Sequence, residues 1–148
     1  MIRVQNDGLG KILHWQLYCR LLNFAKKYTP ELPAEAVIEG WLNRLYLNDS
    51  SLHLLINDVT KDLKITEHAV VEVQEAYGNR IVICHQCLHD TPSLAAIDEG
   101  MEYIEQLAAA VNACSIIFFT TEHSKAFMKR YNFHTARTMM VKHGKDIV

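Results

Sequence analysis

The spacing of apolar residues changes at Leu52, and this change constrains the fold more than any other feature of the chain. Apolar residues recur at three- and four-residue steps across residues 9–24 and again after Pro33, which predicts two N-terminal helices. From Leu52 onwards apolar and polar residues alternate instead, as in β-strands. The predicted strands are residues 52–59, 69–75 and 80–88, and the second and third of them show the alternation. Since Gly78-Asn79 is a two-residue hairpin signal, they are expected to form a three-stranded antiparallel meander.

The second half of the chain predicts a strand–helix–strand unit. Thr91 and Pro92 suit the N-cap and the first position of a long helix. The expected elements are a helix over residues 92–113, a strand over 114–121, a short helix over 126–131 and a last strand over 135–143. The strand after residue 114 is continuously apolar, which is typical of a sheet covered on both faces. The two strands of the unit at residues 80–121 should be parallel, and the connection through the helix should be right-handed.

Length and composition indicate one domain. The chain has 148 residues, of which 49% are apolar and 22% charged, so a single domain over residues 1–148 with one core is expected. The element order predicts an α/β (α+β) fold with a mixed sheet and helices on both faces. No apolar run reaches the roughly 18 residues of a membrane helix. The N-terminus does not resemble a secretory signal, so a cytoplasmic location is expected.

The charge is unevenly distributed along the chain. The net formal charge is −2, which argues against a broad nucleic-acid surface. Residues 121–148 nevertheless hold six basic against two acidic residues, a net of +4, so residues 1–120 hold −6. This split indicates either an ordinary solvated surface or a small basic patch for an anionic cofactor or partner.

Cys84, His85, Cys87 and His89 form the most concentrated group of chemically reactive side chains. Strand alternation predicts that Cys84 and Cys87 point to opposite faces, and one CxxC is only half of a structural zinc site, so no metal is expected. A thioredoxin-like redox site needs a helix directly after its first cysteine, whereas the predicted helix begins about five residues later. We expect buried, reduced cysteines beside partly exposed histidines.

The order of elements resembles the fold of the GNAT N-acetyltransferases. The segment 120–133, a short helix ending in Asn132-Phe133, resembles that family's late Gly-Phe motif. The resemblance covers roughly residues 30–143 and is closest in kind to the short, divergent GNAT-like proteins of tailed bacteriophages. It implies that acetyl-CoA lies between the strands at 80–88 and 114–121 and that an amine attacks its thioester.

The resemblance also implies which positions contact the cofactor. Strand backbone groups bind the pantetheine arm, and the following loop and helix start bind the pyrophosphate. The implied cofactor-binding residues are Ile83, Cys87, His89, Thr91, Ser93, Thr121, Ser124, Lys125 and Lys129. The family's glycines are absent from the loop 87–93, Asp90 adds a negative charge there, and Pro92 removes an amide donor.

Four catalytic candidates accompany the same resemblance. His85 would face the cleft between the strands and act as the general base, and Glu72 or Glu75 could act through a water molecule. Met128 occupies the position of the family's proton-donating tyrosine, so Tyr131 is the candidate replacement. Each of these side chains could instead have a purely structural role.

Two functions therefore stay open on the sequence. The first is an acyl-CoA-dependent N-acetyltransferase with a degenerate cofactor loop, acting on an amine or protein acceptor. The second is a catalytically inactive GNAT-like scaffold or protein-interaction module, such as a phage accessory or virion protein, which could also self-associate. Binding of acetyl-CoA would separate the two functions.

Overall fold

The computed structural model describes residues 1–5, 9–119, 124–136, 140 and 142. In chain order its elements are β1 (Ile2–Arg3), α1 (Lys11–Tyr28), α2 (Ala34–Tyr46), β2 (Leu52–Ile56), β3 (Glu67–Ala76), β4 (Asn79–His89), α3 (Leu94–Ala110), β5 (Ser115–Phe118) and α4 (Ser124–Tyr131). The described strands form one sheet in the order β1-β2-β3-β4-β5, antiparallel except for the parallel pair β4 and β5. The predicted mixed sheet, meander and parallel strand–helix–strand unit are confirmed.

Helices cover both faces of the sheet because the side chains of each strand alternate between them. On β2, Leu54 belongs to a core cluster with Leu21 and Ile38 of α1 and α2, whereas the adjacent Leu55 belongs to a cluster with Ile104 of α3. All five residues of β2 are buried as a result. Two layers of core, one on each face, therefore surround the central strands.

Helix α3 begins two residues later than predicted. Its N-cap is Ser93, whose side chain accepts a hydrogen bond from the amide of Ala96, and Leu94 is the first helical residue. A serine hydroxyl satisfies an amide of the first turn, which is why serine is favoured at this position. Thr91 and Pro92 are consequently part of the loop that follows β4, and the predicted cap at Thr91 is wrong.

Strand β5 is shorter than predicted and pairs with only part of β4. The pairing begins with Ser115 opposite Ile81 and ends with Phe118 opposite Cys84. The amide of Phe119 lies 3.5 Å from the carbonyl oxygen of Cys84. Strand β4 continues to His89, so within the described ranges no strand pairs with its outer edge beyond Cys84.

The predicted last strand falls mostly outside the described residues. Of the segment 135–143, the structure describes Thr135, Ala136, Met140 and Lys142, and none of these four belongs to a strand. The other positions of that segment lie outside the described residues. The described sheet therefore ends at β5.

A β-bulge interrupts the pairing of β3 with β4 at His85. Val71 pairs with Cys84 and Val70 pairs with Gln86, so His85 is an extra residue on β4. The His85 ring contacts Trp41 of α2, and the Gln86 side chain donates to the carbonyl of Leu21 in α1. Two consecutive side chains thus point to the same helical layer, which a regular strand does not permit.

Candidate functional site

His85 is held by a carboxylate on the neighbouring strand. Its Nε2 lies 2.9 Å from Oε1 of Glu72, and its side chain is 21% exposed. An ionised carboxylate only accepts hydrogen bonds, so Nε2 donates the proton and Nδ1 keeps its lone pair. Within the described part of the chain, no hydrogen-bond partner occupies Nδ1. His85 therefore presents an oriented proton acceptor.

Glu72 stays ionised although it is buried. Besides His85, Arg44 donates from Nη1 at 2.5 Å and Gln74 donates from Nε2 at 2.6 Å. Burial alone would raise the pKa of Glu72, but the hydrogen bonds from His85, Gln74 and Arg44 outweigh it and lower the pKa. The carboxylate can therefore orient the His85 ring without taking up its proton.

Arg44 is itself held in place by two residues that follow the end of α2. Its Nε donates to Asp49 at 2.7 Å and its Nη2 donates to Ser51 at 2.9 Å. Hydrogen bonds from Ser51 and Arg44 lower the pKa of Asp49 to about 2. Glu75, the other predicted carboxylate, is separate from this network, because its side chain is 77% exposed and lies 3.7 Å from Arg80.

Two aromatic side chains flank the His85 ring. The ring centroids of Trp41 and Phe119 lie 5.5 and 6.0 Å from that of His85. Neither Trp41 nor Arg44 was predicted to be a site residue, since the helical stripe of α2 marks Trp41 as a core residue. Their three-residue spacing was the available signal, because residues three apart share a helix face.

The bulge also changes the arrangement of the cysteines. Cys84 pairs with Val71 and Cys87 pairs with Ala69, and Val71 and Ala69 lie two residues apart on one face. The prediction that Cys84 and Cys87 point to opposite faces is therefore wrong, since the extra residue His85 resets the alternation. Even so, the described residues contain no group of three or more His, Cys, Asp or Glu side chains that could hold a metal ion.

The negative charge of Asp90 is paired. Nη1 of Arg20 in α1 lies 2.8 Å from Oδ1 of Asp90 and also donates to the carbonyl of Ile65. Nε of Arg20 contacts the buried His68 at 3.2 Å. The carboxylate that the sequence places in the loop after β4 is thus neutralised by the helix beneath it.

The register of β4 against β3 locates two further candidate residues, both on β4. Ile83 is buried and lies between Glu72 of β3 and Ile117 of β5, so its side chain is packed and its backbone is paired within the sheet. His89 lies opposite Glu67, with Nδ1 2.8 Å from Oε2 of Glu67. Both residues lie on the strand whose outer edge is only partly paired.

Tyr131 is linked to α3. Its hydroxyl donates to Oδ1 of Asp98 at 2.5 Å, and Arg130 binds both carboxylate oxygens of Asp98. Partial burial and the hydrogen bond to Asp98 raise the pKa of Tyr131. None of the contacts of Tyr131 that the structure describes joins it to His85, so the two predicted catalytic residues are not brought together.

The basic candidates of α4 are accessible to solvent. Lys125 and Lys129 are both exposed. Of Ser124 the structure describes only the backbone, and Thr121 lies outside the described residues. The two lysines therefore stay available as positive charges on the same side of the sheet as α3.

Acid should destabilise the protein through two buried histidines. Burial is the main cause that lowers the pKa of His53 and His68 to about 4. Because an unfolded histidine has a pKa of about 6.5, the unfolded chain binds more protons than the folded one between these values. We expect the free energy of unfolding to fall as the pH drops from about 6.5 towards 4. Urea denaturation at neutral and acid pH measures this loss of stability. The variant His53→Gln should make the free energy of unfolding depend less on pH. Equal urea midpoints of the wild-type protein at the two pH values would contradict the prediction.

The five-stranded mixed sheet with helices on both faces and a bulged, partly unpaired β4 is the GNAT fold. Glucosamine-6-phosphate N-acetyltransferase from Arabidopsis thaliana is similar in structure, with a TM-score of 0.69 and 9% identity over 97% of this chain and 96% of that one. A probable acetyltransferase matches with a TM-score of 0.67 and 10% identity over 95% and 97% of the two chains. A predicted acetyltransferase from Clostridium acetobutylicum, solved with acetyl-CoA, matches with a TM-score of 0.64 and 13% identity over 90% and 92%.

Sequence comparison alone finds no relative. No family model and no curated protein matches the chain. At sequence identities of 9–13%, the structural similarity establishes the fold alone. Among the described helices, none is long and apolar enough to cross a bilayer. The predicted likeness to phage proteins stays a prediction.

Proposed function

We propose that this protein is an N-acetyltransferase that uses acetyl-CoA and an amine acceptor, with His85 as the general base. The observation that carries the proposal is the position of His85. It lies at the bulge where β5 stops pairing with β4, with Nδ1 available and Nε2 bonded to Glu72. A strand edge available for a ligand thus begins at the residue that can accept a proton.

The residues present fit a CoA thioester. The outer edge of β4 beyond Cys84 can bind an extended, amide-containing arm as an added strand would be bound. The start of α3 favours an anion, and Arg20 removes the opposing charge of Asp90. The residues proposed to hold the cofactor are Cys87, His89, Thr91, Ser93, Thr121, Ser124, Lys125 and Lys129. Ile83, which the resemblance also implied, is paired on both sides within the sheet and is left out.

The chemistry of the proposed reaction needs one proton acceptor. When bound, acetyl-CoA supplies an activated acetyl group. Nδ1 of His85 would take the proton from the acceptor amine as the amine attacks, and ionised Glu72 would stabilise the resulting imidazolium. Trp41 and Phe119, whose rings both lie near that of His85, would limit access of water to it.

Binding of acetyl-CoA should stabilise the protein. At 100 times the dissociation constant, a ligand that binds only the folded state adds about 2.7 kcal/mol, which for this size corresponds to a rise in Tm of about 5–10 °C. Thermal denaturation with millimolar acetyl-CoA measures the shift, with ATP at the same concentration as the control. No shift, or an equal shift with ATP, would contradict the proposal.

A second candidate function, a protein-interaction module, is favoured by a different surface. Ile12 and Trp15 of α1 are 67% and 65% exposed, and Tyr46 and Leu47 at the end of α2 are 52% and 80% exposed. Tyr46 hydrogen-bonds to His14, so these apolar side chains lie near one end of the helix pair. A partner that co-purifies with the wild-type chain but not with Trp15→Glu would support this function.

A further inference from the structure

A second group of reactive side chains lies across the ends of β3 and β4. Sγ of Cys87 is 3.7 Å from Nε2 of His89, and Nδ1 of His89 is 2.8 Å from Oε2 of Glu67. Cys87 and His89 are two residues apart on β4 and therefore share a face, while Glu67 lies directly opposite His89 on β3. The order is thiol, imidazole and carboxylate, each within reach of the next.

The carboxylate determines which imidazole nitrogen faces the thiol. Glu67 accepts the proton on Nδ1, so Nε2 carries the lone pair and points to Cys87. The His89 side chain is 8% exposed and that of Glu67 is 17% exposed. The base is thus fixed by packing and by its hydrogen bond, as activation of a nucleophile requires.

Cys87 differs from the half-buried Cys19 and from the other two cysteines. It is exposed, whereas Cys84 is 1% exposed and its thiol bonds to a backbone carbonyl. Cys114 is also exposed, but its thiol contacts only the hydroxyl of Ser115 at 4.0 Å. Although part of the residue is exposed, the surroundings of the sulfur desolvate it. This desolvation, followed by the charge of Glu67, raises the pKa of Cys87 to about 11, so its thiol needs a base to react at neutral pH.

We propose that Cys87 is an acyl-accepting nucleophile, with His89 as its base and Glu67 as the residue that positions His89. In transfer from a thioester, a bond forms between Cys87 Sγ and the acyl carbon, and the bond from that carbon to the donor sulfur breaks. The Cys87 proton passes to His89 Nε2 and from there to the departing sulfur. The choice of acetyl-CoA as donor rests on the proposed function. The assignment of Cys87 as the nucleophile does not depend on it.

The reaction with a small acyl donor tests this site without CoA binding. The full-length protein is mixed with p-nitrophenyl acetate, and separately with acetyl-CoA, and acetylated residues are located by mass spectrometry. We expect one acetyl group on Cys87, none after Cys87→Ser, and an unchanged result after Cys114→Ser. His89→Gln should slow acetylation of Cys87 by about 10²–10⁴-fold, the usual contribution of a general base.

The outcomes separate this inference from the proposed function. Acetylation of Cys114 at the same rate as Cys87, or an unchanged rate in His89→Gln, would overturn the acyl-accepting site. A Tm shift with acetyl-CoA but no acetylation by either donor would overturn it too and leave the N-acetyltransferase proposal standing. Acetylation by p-nitrophenyl acetate without any Tm shift would support Cys87 and count against acetyl-CoA as donor. Retention of the folded circular dichroism spectrum shows that each variant is intact.

Discussion

His85→Gln is expected to lower kcat/KM for acetyl transfer by about 10²–10⁴-fold, because it removes the general base from the proposed site. Glutamine can keep a hydrogen bond to Glu72 but cannot accept a proton at the position of Nδ1. The measurement is the rate of CoA release with a panel of primary amines, using whichever amine the wild-type protein acetylates.

Two further variants make this test specific. Glu72→Gln should lower the rate less than His85→Gln does, since it removes the orienting charge and leaves the base in place. Glu75→Gln is the matched control, because Glu75 is on the same strand but 77% exposed at its side chain and outside the network. The Tm shift with acetyl-CoA should persist in all three variants. Wild-type activity in His85→Gln would exclude His85 as the base.

Leu21→Ala is expected to lower the free energy of unfolding by about 2–5 kcal/mol, the range for large-to-small changes in a packed core. Leu21 is 0% exposed and lies in the core cluster between α1 and the sheet. The substitution removes buried methyl groups and leaves a cavity beside Val70. For a domain of this size the loss corresponds to a fall in Tm of roughly 5–20 °C.

An exposed position on the same helix provides the comparison. Ile12→Ala shortens an apolar side chain that is 67% exposed, so its effect should stay within about 0.5 kcal/mol. Urea denaturation of both variants gives the two free energies. Equal losses in Leu21→Ala and Ile12→Ala would mean that the layer between α1 and the sheet is not the core of the fold.

Most of the element order could be predicted because it depends on local periodicity. The helical stripe of α1 and the alternation of β3 are each visible over about ten residues of sequence, and both elements form where expected. Strand β1 was missed, since the two residues Ile2–Arg3 are too few to show a period. Asn132, read as a substitute for the family's glycine, does adopt a left-handed φ of 60°.

The candidate site was predictable only in part. His85 was chosen because alternation would turn it towards the cleft, and Glu72 was chosen as a base that acts through water. The structure instead joins Glu72 directly to His85 through a hydrogen bond. Arg44 and Trp41 were not chosen, because their spacing shows that they share a helix face but not that this face meets His85 and Glu72. Tyr131 was chosen as a proton donor, but the structure joins it to Asp98 instead.

The sequence by itself determined the order of helices and strands and the mixed sheet, because local steric preferences and apolar spacing suffice for these. Only the tertiary structure decided which side chains meet. The bulge at His85 arises in the pairing of β3 with β4. It places Gln86 on the same helical layer as His85, and it places Cys84 and Cys87 on one face. A shift of one residue in strand register reverses the direction of every later side chain, and no local pattern in the sequence encodes it.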